Sequence, residues 1–417
     1  MINSKRLWDN LITLGEIGKQ ETGGITRLGF TEEEKEALRF VRILMEKAGL
    51  KVREDAVGNI IGRKEGTNPD APTVLMGSHI DSVINGGIFD GNLGILAGIE
   101  VLQTMNEQNI STKHPLEVYA FRDEEGCRFG FSSFGSRSAA GIVRQENFDY
   151  KDKDGLTIRE VLKNNGLNPE EYKQAARKPE EIKAYLELHP EQGKVLECKN
   201  LSVGIVTGIA SSLRLKVTII GSTDHAGATP MELRKDSLTA AAEIILIIEK
   251  EASNTEDAVG TVGRIEAFPG GVNIIPGKVE FTIDLRDLSA EVGKELEDRI
   301  MKQAIEVCKK RGVEIEFEEL QRVPPAPCDP EIISMMEKGC QGIDIPVFKL
   351  PSGAGHDAMQ IINICPIGMI FVRSKDGISH HPDEWSSYED CSKGAELLYE
   401  TVLKLAIKEK VNNLAAL

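Results

Sequence analysis

Five side chains able to bind a divalent cation stand in four polar loops of this sequence: His79, Asp90, Glu125, His189 and His380. Neutral imidazole and carboxylate are ligands of zinc and similar ions, and a hydrolytic centre also keeps a position open for water. Five ligands are too many for one tetrahedral ion but suit two ions that share a bridging carboxylate, and Asp90 is the expected bridge. His79 and Asp90 both belong to the stretch GSHIDSVINGGIFDG, residues 77–91, in which Asp81 falls on the same side of an extended chain as His79 and is placed to steady its imidazole. Glu124 adjoins Glu125. A carboxylate bound to a cation loses basicity, so the expected division makes Glu125 the ligand and Glu124 the general base that carries a proton to a leaving nitrogen. Taken singly, a histidine is more often structural and the run DEEG could be a solvated acidic turn. The joint pattern is stronger, because five of the seven histidines fall in glycine-rich polar loops, where binding and catalytic residues concentrate.

The elements that must position these groups read as strands. TVLM precedes the 77–91 stretch, EVYAFR (117–122) runs into Asp123, Glu124 and Glu125, KAYLEL (183–188) delivers His189, and GMIFVRS (368–374) leads toward His380 and His381. Ligands of open α/β sheets gather beyond the carboxyl ends of strands, which is where all four clusters fall. After Gly91, LGILAGIEVLQTM reads as a buried helix. Residues 31–49 predict a surface helix with a Thr31/Glu34 capping box and a stop at Gly49, and LKVREDAVGNIIGRKEG predicts a hairpin turning at Gly58-Asn59.

Between the third and fourth clusters the pattern changes. LRLKVTI (213–219) and KVEFTIDLR (278–286) alternate apolar and polar, as strands with one buried face do. With helices at 236–252 and 290–311 and strands at 260–268 and 313–319, the order is βαββαβ, the ferredoxin-like plan. The expected fold is therefore α/β: a discontinuous catalytic domain, 1–210 and 326–417, with a mixed sheet flanked by helices, interrupted by an inserted α+β lid domain at 211–325 that ends in a Pro-rich linker.

With 50 Lys and Arg against 66 Asp and Glu, the net charge of −16 disfavours nucleic acid and anionic membrane as partners. Seven cysteines without C-x-x-C spacing argue against a disulfide framework and for a reducing cytoplasm. No export signal or membrane-spanning run is expected.

The motifs GSHIDSV, GGIFDG, FRDEEG, ELHPEQG, DHAGATPM, FPGGVNIIPG, DLRD, SGAGHDAM and GISHHPDEW together resemble those of the amidase, hydantoinase and carbamoylase family of dinuclear metallohydrolases. That family is related to the aminoacylases and metallo-carboxypeptidases, which combine a catalytic domain with a smaller dimerisation lid. Within it the likeness is greatest to N-carbamoyl-L-amino-acid hydrolases, with allantoate amidohydrolases second; an aminoacylase or peptidase, or a non-catalytic metal-binding protein, is a more distant alternative. The resemblance implies a homodimer formed through the lid, acting on a small ureido substrate that bears a carboxylate. It implies that His79, Asp90 and His189 hold one ion and Asp90, Glu125 and His380 the other. Glu124 is then the base, Asp81 orients His79, and Gln192 lines the substrate pocket. His225 stabilises the oxyanion in the partner subunit, while Asn273 and Arg286 bind the substrate carboxylate. Gly353, Gly355 and His356 close the pocket. Zinc is the foremost candidate for the two divalent ions, and Mn, Co and Ni also suit these ligands. His381 stands where the family carries a small or polar residue; His380 is the expected ligand because it follows the Gly-Ile-Ser lead-in.

Overall fold

The computed structural model describes residues 2–407. The chain forms two compact units, one built from the chain up to Thr207 and from Cys328 onward, the other from Gly208–Pro327.

In the first unit the strands of a mixed sheet run in the order Lys51–Glu54, Ile60–Lys64, Leu116–Phe121, Thr73–His79, Ile182–Pro190, Ile367–Val372 and Val203–Ile209, with Lys349–Ser352 also paired to the last. The four strands in the middle, 116–121, 73–79, 182–190 and 367–372, are mutually parallel, whereas the flanking pairs are antiparallel. Every residue of those four strands is buried. This is why they read as mostly apolar runs rather than alternating ones: a parallel strand covered on both faces has no solvent side to show. One face shares a core with the helices Ser4–Leu14, Glu32–Lys47, Asn92–Glu107 and Tyr388–Ile407, built on Val74, Met76, Val118, Leu188 and Ile370 of the sheet. Being parallel, the four strands end at one edge, where His79 is level with Phe121 and His189 with Phe371.

The hairpin forms with Glu54 opposite Ile60, its loop held by Asp55, which accepts from the N–H groups of Val57 and Asn59. Thr31 caps the 32–47 helix through Glu34 N at 3.4 Å, but Glu34 does not complete the expected box. Its carboxylate accepts instead from Phe30 N at 2.6 Å and from Arg122 Nε at 3.1 Å, because the guanidinium at the end of the 116–121 strand offers a charged partner that a capping geometry does not.

The second unit is an antiparallel sheet in the order Ile265–Phe268, Lys278–Arg286, Ser212–Ile220 and Glu314–Val323, with Val259–Thr261 also on the second of these. The alternating residues Leu215, Val217, Ile219, Phe281 and Ile283 pack against the helices Ser237–Ser253 and Ala290–Arg311, which is the ferredoxin-like arrangement. The strand expected over 260–268 is broken: Thr261 is opposite Asp284 and Ile265 opposite Phe281, so one extra residue bulges out at 262–264. Among the described residues, no helix is long and apolar enough to cross a membrane.

Candidate metal centre

At the shared edge of the parallel strands, the chain gathers its carboxylates and imidazoles. Asp90 stands between them. Its Oδ1 faces His189 Nε2 at 3.0 Å and His79 Nε2 at 3.4 Å, and its Oδ2 faces His380 Nε2 at 3.2 Å. Glu125 Oε1 lies 3.5 Å from the same His380 nitrogen. Ligand atoms of His79, Asp90 and His189 all fall within 4.8 Å of one another, as do those of Asp90, Glu125 and His380. Asp90 is thus common to two groups, one on each of its oxygens.

The donor set fits a divalent cation. His189 Nε2 is buried and makes no hydrogen bond although a carboxylate oxygen lies 3.0 Å away. Lone-pair donors converge in this way on a shared positive charge. The opposite nitrogens are engaged: His79 Nδ1 meets the Asp81 carbonyl at 3.1 Å, and His189 Nδ1 meets the Pro190 carbonyl at 3.0 Å. Each carbonyl can only accept, so each imidazole carries its proton on Nδ1 and turns a bare Nε2 inward.

Asp81 therefore orients His79 through its main chain. Its carboxylate, 3.8 Å from His79 Nδ1, is taken up by the N–H groups of Glu124 at 2.9 Å and Glu125 at 3.1 Å. In this way Asp81 fixes the turn that presents both glutamates. Gly91 has φ +67, and a Cβ there would sit 2.4 Å from the His79 carbonyl, so only glycine lets Asp90 double back to His79. The buried Arg27 holds the same loop, donating to the Ile80 carbonyl at 3.1 Å and to Asn92 Oδ1 at 2.7 Å.

Burial pushes the Glu124 carboxyl up to about 7; His79 works against this, while Asp81 and Asp90 add to it. Burial also raises Glu125, helped by the negative charges of Asp90 and Glu124. For Asp90, burial acts in the raising direction, but the imidazoles of His189, His380 and His79 around it prevail and hold its carboxyl well below the usual range. Gln192, at φ +59, brings its amide nitrogen to Asp90 Oδ2 at 3.3 Å and to Ser379 Oγ at 3.0 Å, and its Oε1 is buried with no hydrogen-bond partner.

His356 is buried, 4.4 Å from His189 between ring centroids, with Nε2 2.9 Å from Ser352 Oγ. Burial drives its pKa well below 6.5, and the neighbouring His189 adds to that, so it is a neutral ring. Gly353 and Gly355 lie in the loop between Ser352 and His356. His381 is exposed, accepts from Asp383 N at 3.2 Å, and joins no group of candidate ligands among the described residues.

Three candidate residues belong to the second unit. His225 is exposed, and its Nδ1 accepts from Gly227 N at 3.0 Å and Ala228 N at 3.2 Å, which leaves the proton on an outward Nε2. The Asn273 carbonyl accepts from Ala226 N at 2.9 Å, tying the two loops together. Arg286 pairs with Asp284 at 2.9 and 3.0 Å.

Two buried acids had drawn no attention in the sequence. Glu187 accepts from Ser78 Oγ at 2.7 Å and Ala358 N at 2.9 Å, and Glu384 accepts from Phe89 N at 2.9 Å and Asp90 N at 3.0 Å. Glu187 was hidden inside an apolar strand, where its alternation with Leu186 and Leu188 was the available sign.

The model of the family described as Peptidase family M20/M25/M40 matches residues 75–404. The chain is 55% identical over 406 residues to an N-carbamoyl-L-amino acid amidohydrolase of Geobacillus stearothermophilus, covering 97% of this chain and 99% of the relative. It is 37% identical to allantoate deiminase 2 of Glycine max, over 89% of this chain and 84% of that one. Among solved structures, an amidase of the hydantoinase/carbamoylase family from Burkholderia multivorans superposes with a TM-score of 0.92 at 32% identity, covering 98% and 99% of the two chains.

Proposed function

The chain belongs to the peptidase family M20/M25/M40 of metal-dependent hydrolases, and we propose that its reaction is cleavage of the ureido C–N bond of N-carbamoyl-L-amino acids to L-amino acid, ammonia and carbon dioxide. The observation that carries the reading is Asp90, whose two oxygens face imidazoles of two separate groups of candidate ligands, with Glu124 outside both of them.

His79, Asp90 and His189 would hold one divalent ion and Asp90, Glu125 and His380 a second, zinc being the first choice and Mn, Co or Ni alternatives. When bound, the ions supply Lewis acidity and lower the pKa of water. Glu124 takes the proton of the attacking water and returns it to the departing nitrogen, a task that its burial among acids suits by keeping it basic. Gln192 Oε1, buried and without a partner, receives an N–H of the ureido group. Asn273 and Arg286 are assigned to the substrate carboxylate, Arg286 through a two-pronged guanidinium contact. His225, with its proton on Nε2, is assigned to the charge developing on the ureido oxygen in the partner subunit of a homodimer. His356 and the Gly353–Gly355 loop close the pocket. The free state of all seven cysteines supports a cytoplasmic setting.

The test is a substrate panel. Purified protein reconstituted with zinc or manganese is offered N-carbamoyl-L-amino acids, allantoate and N-acyl amino acids, with release of ammonia and of amino acid both measured. Ammonia and amino acid in equal amounts from the carbamoyl compounds is the expected result. Preference for allantoate would move the assignment within the family, and amino acid without ammonia from the acyl compounds would overturn the ureido reading.

A further inference from the structure

The loop that carries His380 is tied to Asp90 by a closed circuit of hydrogen bonds. Gln192 Nε2 donates one hydrogen to Asp90 Oδ2 at 3.3 Å and the other to Ser379 Oγ at 3.0 Å. Ser379 passes its single proton to Glu384 Oε2 at 3.2 Å. Glu384 Oε1 accepts from the main-chain N–H groups of Phe89 at 2.9 Å and Asp90 at 3.0 Å, which returns the circuit to its start. With Glu384 ionised, the direction of every bond is determined, because a main-chain N–H only donates and a carboxylate oxygen only accepts. Ser379 Oγ is the one atom that both accepts and donates within the ring.

A second feature is built for the same contact. A Cβ at Gly87 would lie 2.2 Å from Glu384 Oε1, so the absence of a side chain there is what lets the carboxylate reach the main chain of Phe89 and Asp90. Glu384 is buried, and its main-chain partners Phe89 and Asp90 lie almost three hundred residues away in sequence. His380 is the opposite: half its side chain is exposed, and it is the member of its ligand group with the least surrounding protein to hold it.

We propose that Glu384 and Ser379 are positioning residues that set the separation between Asp90 and His380 and thereby the affinity of the ion held by Asp90, Glu125 and His380. The proposal rests on the metal-hydrolase reading given above but concerns one ion of the pair. Partners that orient metal ligands without touching the metal are worth 10- to 100-fold in affinity. Glu384→Gln keeps an oxygen for the two main-chain donors but places an amide N–H against Ser379, which then meets two donors and has no acceptor for its own proton. Ser379→Ala opens the ring at the same point. Ser379→Thr keeps the hydroxyl.

The experiment is calorimetric titration of the metal-free full-length protein with zinc, with a thermal melt of each metal-free variant alongside. Wild type takes up two ions. The expected result is that Glu384→Gln and Ser379→Ala each weaken one ion about 10- to 100-fold and leave the other and the metal-free melting temperature unchanged. The double variant is no worse than the weaker single one, and Ser379→Thr is restored toward wild type. Wild-type affinity for both ions in Glu384→Gln and Ser379→Ala would overturn the proposal. So would parallel loss of both ions with a lowered melting temperature, which would make the ring a prop of the fold. Failure of the metal-hydrolase reading itself is distinguishable, because wild type would then bind no zinc in stoichiometric amount.

Discussion

His189 Nε2 lies 3.0 Å from Asp90 Oδ1, both groups are buried, and no hydrogen bond joins them. Two electron-pair donors face each other across the distance at which a shared cation binds both.

Removal of metal should therefore abolish activity and loosen the protein. A ligand present at a thousand times its Kd stabilises the folded state by about 4 kcal/mol. Extensive dialysis against a chelator should lower the melting temperature by several degrees, and stoichiometric zinc should restore it. Identical melts with and without zinc would contradict a metal centre at Asp90.

Glu124→Gln should separate binding from turnover. Its side chain is isosteric and lies outside both groups that contain Asp90, so metal content and KM should remain near wild type. Loss of a proton carrier typically costs about 10²- to 10⁴-fold in rate, and that loss should appear in kcat. Retained kcat would exclude Glu124 as the base.

Arg286→Ala should act on KM for carboxylate-bearing substrates. A charge-assisted hydrogen-bonded contact is worth about 1.5–3 kcal/mol, which corresponds to roughly 10- to 100-fold. Substrate amides that lack the carboxylate should be indifferent to the change, and equal sensitivity of both compounds would remove Arg286 from this role.

Complementation tests whether His225 serves the partner subunit. Inactive His225→Ala and Glu124→Gln proteins, unfolded and refolded together, form mixed dimers in which one of two sites has both residues intact. Statistical mixing restores about a quarter of wild-type activity. Mixtures as inactive as their parents would place His225 in its own subunit or outside catalysis.

Away from the site, Arg122 and Glu34 form a buried ion pair. Burial raises the Glu34 carboxyl pKa, with Arg122 opposing. Arg122→Met strands that carboxylate, at a cost of about 3–5 kcal/mol near neutral pH. Without the cation, Glu34 titrates higher still in the folded state than in the unfolded chain. Its protonation then favours folding below that raised value and the benefit is lost as pH rises through it, so the deficit against wild type should shrink toward acid pH. Denaturant melts at two pH values measure this; a deficit independent of pH would mean that Glu34 is not the source.

The fold was legible because its strands and helices follow local rules. The four inner strands are mostly apolar runs, and the second unit's strands alternate so cleanly that Leu215, Val217 and Ile219 read as core positions. Local pattern does not report pairing, and there the reading stopped. One extra residue between Thr261 and Ile265 splits a strand that looked continuous, since a bulge depends on the neighbour's register. The spacing of His79 and Asp81 predicts an orienting contact but not that it runs through the Asp81 carbonyl, while the carboxylate turns to the Glu124 and Glu125 main chain, 43 and 44 residues on. Glu384 lay within a quoted motif, yet nothing nearby in sequence signals its contact with Phe89 N.

The sheet of the first unit has a further consequence, for synthesis. The strand Ile367–Val372 lies between Ile182–Pro190 and Val203–Ile209, so one of the innermost strands leaves the ribosome after the strands on both sides of it and after the whole second unit. A nascent chain can complete Gly208–Pro327 while Ile367–Val372 is still missing from the larger sheet and His380 has yet to be made. An ion held by Asp90, Glu125 and His380, as proposed, therefore waits for nearly the full length of the polypeptide, and chains terminated before His380 lack a member of that group.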